Sequence, residues 1–188
     1  MDPVKQFVAW YDEAVAAKVE MADAMALSTI SAGGPSSRMV LYRGLSGGAP
    51  RFFTNYNSHK GHELASDPRV ALLFHWIPFE RQVRIEGVAE KLSAAESDEY
   101  FASRPYGHRI NAWASDQSSE IGSRDELLAR AAELTAKYPT DVPRPPHWGG
   151  YRVIPAAIEL WQGRPDRFHE RNLFELVDGV WRARLLSP

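Results

Sequence analysis

Apolar and polar positions alternate along this chain in blocks whose period changes. Val4, Phe7, Val8, Tyr11 and Val15 recur at helical spacing, and Asp2-Pro3 supplies an N-cap and a first-turn residue. The pattern predicts an N-terminal helix within residues 1–20. From Ala24 the period shortens to that of strands: MALSTIS, SRMVLYRG and PRFFTN, separated by Gly33-Gly34-Pro35 and Gly47-Gly48. Ser58 opens a short helix that ends near Asp67-Pro68. Two longer strands follow, RVALLFHW and RQVRIEGVAEKL, broken at Pro78. Ser93-Ala94-Ala95-Glu96 is a capping box opening a helix through about Ser103, and Ser123-Arg124-Asp125-Glu126 opens another.

The proline-rich stretch from Tyr138 to Pro146 reads as an extended surface loop. The tail returns to strands, GGYRVIP, AIELWQ, RFHERNLFEL and VWRARLL, with Asp178-Gly179 as a hairpin turn. Strands outnumber helices and several are hairpin neighbours. The expected fold is mainly β with flanking helices (α+β): an antiparallel barrel in one domain, 1–188, whose last strands occupy 150–188.

Composition narrows the function classes. The formal net charge of −2 gives no general pull toward nucleic acid or an anionic membrane, so any positive patch is local. The absence of cysteine removes disulfides, thiolate metal sites and a cysteine nucleophile, and fits a reducing compartment. No apolar stretch reaches membrane-spanning length, and MDPVKQFVAWYDEA lacks an apolar signal core, so a cytoplasmic setting is expected. No dinucleotide fingerprint, P-loop or serine-hydrolase elbow is present. His59, His62, Glu63 and His75 do not follow a zinc spacing, and no metal is expected.

The informative segment is Trp161 to Arg171, WQGRPDRFHER. Read as a strand, its second half puts Arg167, His169 and Arg171 on one face, with Phe168 and Glu170 on the other. Three such groups repel one another unless something anionic lies opposite, and the Trp161 indole could stack on a planar ring. A phosphate-bearing aromatic cofactor would answer both needs; a solvated edge strand is the alternative. Elsewhere, Thr54-Asn55 and Ser58-His59-Lys60 place hydroxyl, amide and cationic groups at a strand-to-helix junction. In RQVRIEG, Gln82, Arg84 and Glu86 face away from Val83 and Ile85, and a glutamine there can both donate to and accept from a heterocycle edge.

Taken together, RMVLYRG, FFTNYNSHKG, RQVRIEG, YFASRP, WASDQSS, RPPHWGGYRV and WQGRPDRFHER occur in the order and approximate spacing of the pyridoxamine 5′-phosphate oxidases, which this chain resembles from about Asp2 to Pro188. The resemblance implies an FMN-binding split β-barrel, a homodimer with FMN at the subunit interface, and oxidation of pyridoxine or pyridoxamine 5′-phosphate to pyridoxal 5′-phosphate. O₂ would reoxidise the flavin and yield hydrogen peroxide. It further implies that Arg38, Met39, Val40, Leu41, Tyr42, Arg43, Phe53, Thr54, His59 and Lys60 hold FMN. Gln82, Gln117, Ser118, Trp161 and Arg171 would complete the cofactor site. Tyr100, Arg104 and His108, with Arg43, would meet the substrate phosphate, and Arg167, Phe168 and His169 would cover its ring, Arg167 and His169 on the reacting side.

Four positions depart from the commonest form: Arg43 for lysine, His59 for arginine, His108 for serine and Phe168 for leucine. The basic-aromatic arm that closes over the substrate in some members has no counterpart before Asp2. These changes bear on substrate choice more than on FMN. The rival expectations are an FMN oxidase acting on a reduced phenazine precursor, and a flavin- or haem-binding protein of this fold without turnover.

Overall fold

A computed structural model describes all residues, Met1–Pro188. In chain order the elements are α1 (Pro3–Ala16), β1 (Ala24–Ser31), β2 (Gly34–Leu41), β3 (Leu45–Ser46), β4 (Ala49–Asn55), α2 (His59–Ser66), β5 (Arg69–Trp76) and β6 (Arg81–Lys91). Then come α3 (Ala94–Ser103), α4 (Tyr106–Ala114), α5 (Arg124–Lys137), β7 (Trp148–Gln162), β8 (Glu170–Val177) and β9 (Val180–Leu186). Nine strands form one sheet in the order β2-β1-β5-β6-β7-β4-β3, with β8 paired to β7 and β9 to β8. Every register described is antiparallel, so the mainly-β architecture with flanking helices is the one observed. No helix is long and apolar enough to cross a membrane.

The chain divides into two compact units. Unit one comprises Met1–Phe52, Asp67–Glu90 and Arg152–Pro188; unit two comprises Phe53–Ser66 and Lys91–Tyr151.

Unit one is organised around Phe7. Asp2 accepts from the amides of Val4 and Lys5 and starts α1, and the helix buries Phe7 against Phe74 at 4.9 Å and Tyr42 at 5.3 Å between ring centroids. Met25, Leu27, Leu72, Phe74, Trp76, Val83 and Ile85 are buried beside it, the inward positions of alternating strands. Each such side chain contributes about 1.5–3 kcal/mol. The Trp76 indole N–H, buried with them, donates to the Ala22 carbonyl at 2.9 Å. Arg81 ties α1 to the sheet: its guanidinium lies 4.6 Å from the Trp10 ring and 5.3 Å from the Phe79 ring, pairs with Glu13, and donates to Gln162 Oε1 at 2.9 Å. Gly87 permits a close crossing, since a Cβ there would lie 2.1 Å from the Ile154 carbonyl oxygen. The β8–β9 hairpin turns at Asp178 and Gly179, both at positive φ.

Unit two packs α3, α4 and α5 around Phe101, Ile110, Val142 and Trp148. Ser93 and Glu96 form the reciprocal capping box of α3. Tyr138–Pro146 carries no helix or strand, although Val142 within it is buried.

Three expectations change. Residues 165–167 form a 3-10 turn, and Asp166 and Arg167 have positive φ, so Arg167 and His169 precede the strand that begins at Glu170. The alternating face of Arg167, His169 and Arg171 therefore does not exist. Gly163 and Pro165 end the preceding strand, and the chain turns before it extends again. GGYRVIP and AIELWQ are one strand, β7, running through Pro155; pairing with β8 begins only at Ala157, so the missing proline N–H costs that ladder nothing. Helix α4 follows Pro105 with no side-chain cap, and the sequence pattern left it without an element.

Candidate active site

In unit one, β2 and the residues after it carry the RMVLYR segment. Arg38 donates to Thr29 Oγ1 and, at 2.6 Å, to Ser36 Oγ, which holds its guanidinium along the strand. Met39 is exposed, Val40 and Leu41 are half-buried, and Tyr42 is buried edge-on to Phe7 and Tyr11. Burial pushes the Tyr42 phenol up to about 12. Arg43 pairs with Asp23, and its carbonyl accepts from Arg51 Nε at 2.7 Å. Gln82 stands opposite His75 in the β5–β6 register.

The Trp161 end of β7 gathers three expected residues. Trp161 is in register with Arg171, and its ring lies near that of His169. The amide of Arg164 donates to His169 Nδ1 at 3.2 Å. That bond makes Nδ1 an acceptor, so the neutral ring carries its proton on Nε2 and presents an N–H donor there. Arg164 Nε bonds Glu170 at 2.9 Å, closing the turn across its base. Phe168 is 76% exposed at the tip, beside Arg167.

The sequence reading missed Glu159, two residues before Trp161 on the same face of β7. It is buried, accepts from Arg171 Nε at 2.7 Å, and accepts from Arg84 at 2.9 Å. The hydrogen bond from Arg171 is the chief reason its carboxyl lies below the usual glutamate range, and the charges of Arg171 and Arg84 add to it against the cost of burial. An acid at a core-flanking position of AIELWQ was the available signal.

Unit two holds two further groupings. Lys60, in the first turn of α2, is buried and its ammonium donates to Thr54 Oγ1 at 3.0 Å, Ser58 Oγ at 3.1 Å and Gln117 Oε1 at 3.0 Å. Thr54 Oγ1 also donates to Gln117 at 3.2 Å. Gln117 reaches this point from a turn in which Ser118 has φ 75°. Gly61 lets α2 start this close: a Cβ there would lie 2.0 Å from the Tyr56 carbonyl oxygen. His59, largely exposed, faces Glu63 at 3.2 Å rather than joining the group.

The second grouping is an aromatic stack. Phe53 and Tyr100 lie 3.8 Å apart at 13°, and Phe53 and Trp148 lie 5.4 Å apart at 11°. Arg104, the extended residue that ends α3, sets its guanidinium 4.6 Å from the Trp148 ring centre. Trp148, given no role by the sequence, is the floor on which both expected phosphate-binding residues rest. His108 is exposed in the first turns of α4 and joins neither grouping.

Residues 11–138 match the family described as pyridoxamine 5′-phosphate oxidase, and residues 148–188 match the pyridoxine 5′-phosphate oxidase C-terminal dimerisation region. A pyridoxine/pyridoxamine 5′-phosphate oxidase of Cupriavidus necator is 54% identical over 189 residues, spanning 100% of this chain and 89% of that protein. One from Actinobacillus pleuropneumoniae serotype 5b is 52% identical over 187 residues, spanning 100% and 90%. Among solved structures, PhzG from Burkholderia lata, in complex with tetrahydrophenazine-1-carboxylic acid, superposes with a TM-score of 0.94 at 32% identity, over 100% of this chain and 93% of its own. A pyridoxamine 5′-phosphate oxidase-related, FMN-binding protein from Nostoc punctiforme shares the fold, with a TM-score of 0.80 at 16% identity over 100% and 99%. This chain belongs to the pyridoxamine 5′-phosphate oxidase family.

Proposed function

We propose that this protein oxidises pyridoxine 5′-phosphate and pyridoxamine 5′-phosphate to pyridoxal 5′-phosphate as an FMN-dependent homodimeric enzyme of the cytoplasm. The carrying observation is that unit two has two separate cationic groupings, Lys60 among hydroxyl and amide oxygens and Arg104 on the Trp148 ring. Two phosphate esters, cofactor and substrate, need two such places, and a carrier of flavin alone needs one. Full-length relatives above half identity that bear this activity in their names support the same reading.

The residues suit the cofactor by their donor chemistry. The Lys60 ammonium donates its three N–H groups to Thr54, Ser58 and Gln117, which holds its charge at the start of α2; an arriving phosphate would take over those donors, and His59 and Ser118 flank that segment. Arg38 and Arg43 add permanent charge, Gln82 an amide for the ring edge, and Trp161 and Arg171 the contribution of the C-terminal strands, whose match to a dimerisation region supports a shared interface. The chemistry that bound FMN would supply is two-electron oxidation of the substrate by hydride acceptance, with O₂ as the terminal oxidant and hydrogen peroxide as its product.

The chain's own part is positional. Tyr100 and Arg104 grip the substrate phosphate, Arg43 and His108 tune it, and Arg167 and Phe168 at the turn cover the ring. His169 offers its Nε2–H to an oxygen or nitrogen of the substrate and holds that atom in register. The stacked floor under Arg104 excludes water from one side of its guanidinium and strengthens the anion contact.

The test is the visible spectrum of the purified protein, oxygen-free, before and after pyridoxine 5′-phosphate. A flavin band that bleaches and returns in air is expected. A flavin band that does not respond overturns the substrate, and the fold likeness to PhzG then makes a reduced phenazine precursor the next compound to try.

A further inference from the structure

Behind Arg171 stands a carboxylate that the reading above does not use. Glu159 is 5% exposed on β7, between β6 and β8, and each neighbouring strand sends it an arginine. Its Oε1 accepts from Arg171 Nε at 2.7 Å, and its Oε2 accepts from Arg171 Nη2 at 3.2 Å and from Arg84 Nη1 at 2.9 Å. Arg84 Nη2 continues to Glu86 Oε1 at 2.6 Å. These four groups, with Glu175 and others, line a cavity of about 170 Å³.

The donor inventory of Arg171 shows what this does. A guanidinium has five N–H groups. Glu159 engages two of them, and the Ser187 carbonyl a third, through Nη1 at 3.1 Å. One N–H on each Nη is left. The bidentate contact fixes the plane of the guanidinium, and with it the direction of those two donors. Arg84 supplies the second positive charge that keeps Glu159 ionised, while Glu86 balances Arg84. A lone arginine on an exposed strand would sample many rotamers; this one is clamped from behind.

We infer that Glu159 is a positioning residue that orients Arg171 toward the flavin cofactor, acting through the guanidinium and not by touching the ligand. The inference rests on the reading that Arg171 contacts FMN. A buried ion pair of no consequence for the site is the competing account, because such pairs are weak contributors to stability in themselves.

A double-mutant cycle separates the two. Apo-protein is titrated with FMN and the quenching of flavin fluorescence gives the dissociation constant, with circular dichroism confirming the fold of each variant. Glu159→Gln is expected to weaken FMN binding about tenfold, as the loss of one well-aimed charged donor would. Glu159→Asp keeps the charge but withdraws it by one methylene, and about threefold weakening is expected; it carries the test if the glutamine variant fails to fold. In an Arg171→Ala background neither substitution has a further effect. Glu175→Gln, which lines the same cavity and pairs with Arg184, leaves FMN binding unchanged.

Wild-type affinity in both Glu159 variants overturns the inference and leaves the function intact, as does equal weakening with and without Arg171. A wild-type protein that does not bind FMN overturns the cofactor reading and this inference together, a result visible before any variant is made.

Discussion

The rings of Trp161 and His169 lie 4.7 Å apart at an angle of 41°, and the Arg164 amide holds the far side of the imidazole through Nδ1. Packed on one edge and bonded on another, the ring has a single polar atom left to offer, Nε2. His169→Leu should lower kcat/KM for pyridoxine 5′-phosphate by about 10- to 100-fold. His169→Gln, whose amide can place an N–H near the position of Nε2, should recover part of that loss. Equal kcat/KM in the two variants would contradict the donor role.

Trp148 supports Arg104 by a cation–π contact and Phe53 by stacking. Trp148→Phe keeps an aromatic floor but weakens its hold on the guanidinium, so KM for the phosphorylated substrate should rise about threefold, within the energy of such a contact. The dissociation constant for FMN should stay at the wild-type value. Steady-state kinetics and flavin fluorescence, run on the same preparation, check both halves.

Two glycines on helices should respond in opposite directions. At Gly61 a Cβ would meet the Tyr56 carbonyl at 2.0 Å, and backbone cannot move aside cheaply; at Gly107 nothing lies within 4 Å. Gly61→Ala should cost about 1–3 kcal/mol, lowering Tm by about 2–12 °C. Gly107→Ala, in α4, should gain about 0.5–1 kcal/mol from reduced backbone freedom in the unfolded chain. A thermal melt of each variant decides; a stabilised Gly61→Ala would refute the close approach of α2.

Acid stability should report Glu159. Its carboxyl titrates below the usual range in the folded protein, chiefly because Arg171 hydrogen-bonds the ionised form. The unfolded chain takes up that proton at the ordinary value of about 4.3. The contribution is therefore complete above that value and is lost as pH falls from it through the lower folded value. Glu159→Gln should lose less Tm than the wild type between pH 6 and pH 3; parallel losses would show that another carboxylate governs the acid limb.

Much of the fold was legible because local chemistry and period agree. Asp2 caps α1, Ser93 and Glu96 close a box on α3, and Asp178-Gly179 turns the last hairpin, each by a side chain or a permitted φ within a few residues. The co-linear motifs carried the family. What escaped depended on distant partners. Helix α4 has no cap to announce it, and its buried residues, Ile110 and Ala114, gain their meaning from packing in unit two. The stretch from Arg167 to His169 alternates like a strand, yet Asp166 and Arg167 turn left-handed, a conformation that period cannot reveal. Glu159 and Trp148 were visible as residues, but their roles lie in the arginines that folding brings to them.

The clamp on Arg81 makes the first helix a strut rather than an appendage. Its guanidinium, held between Trp10 and Phe79, grips Gln162, whose own amide donates to the Phe79 carbonyl at 2.9 Å, while the Gly163 amide donates to the Glu80 carbonyl at 2.7 Å. Gln162 is the immediate neighbour of Trp161. Loss of α1 would strip Arg81 of its Trp10 and Glu13 contacts and so loosen one of the bonds that hold the neighbour of Trp161, which ties the second half of the first helix to the end of β7.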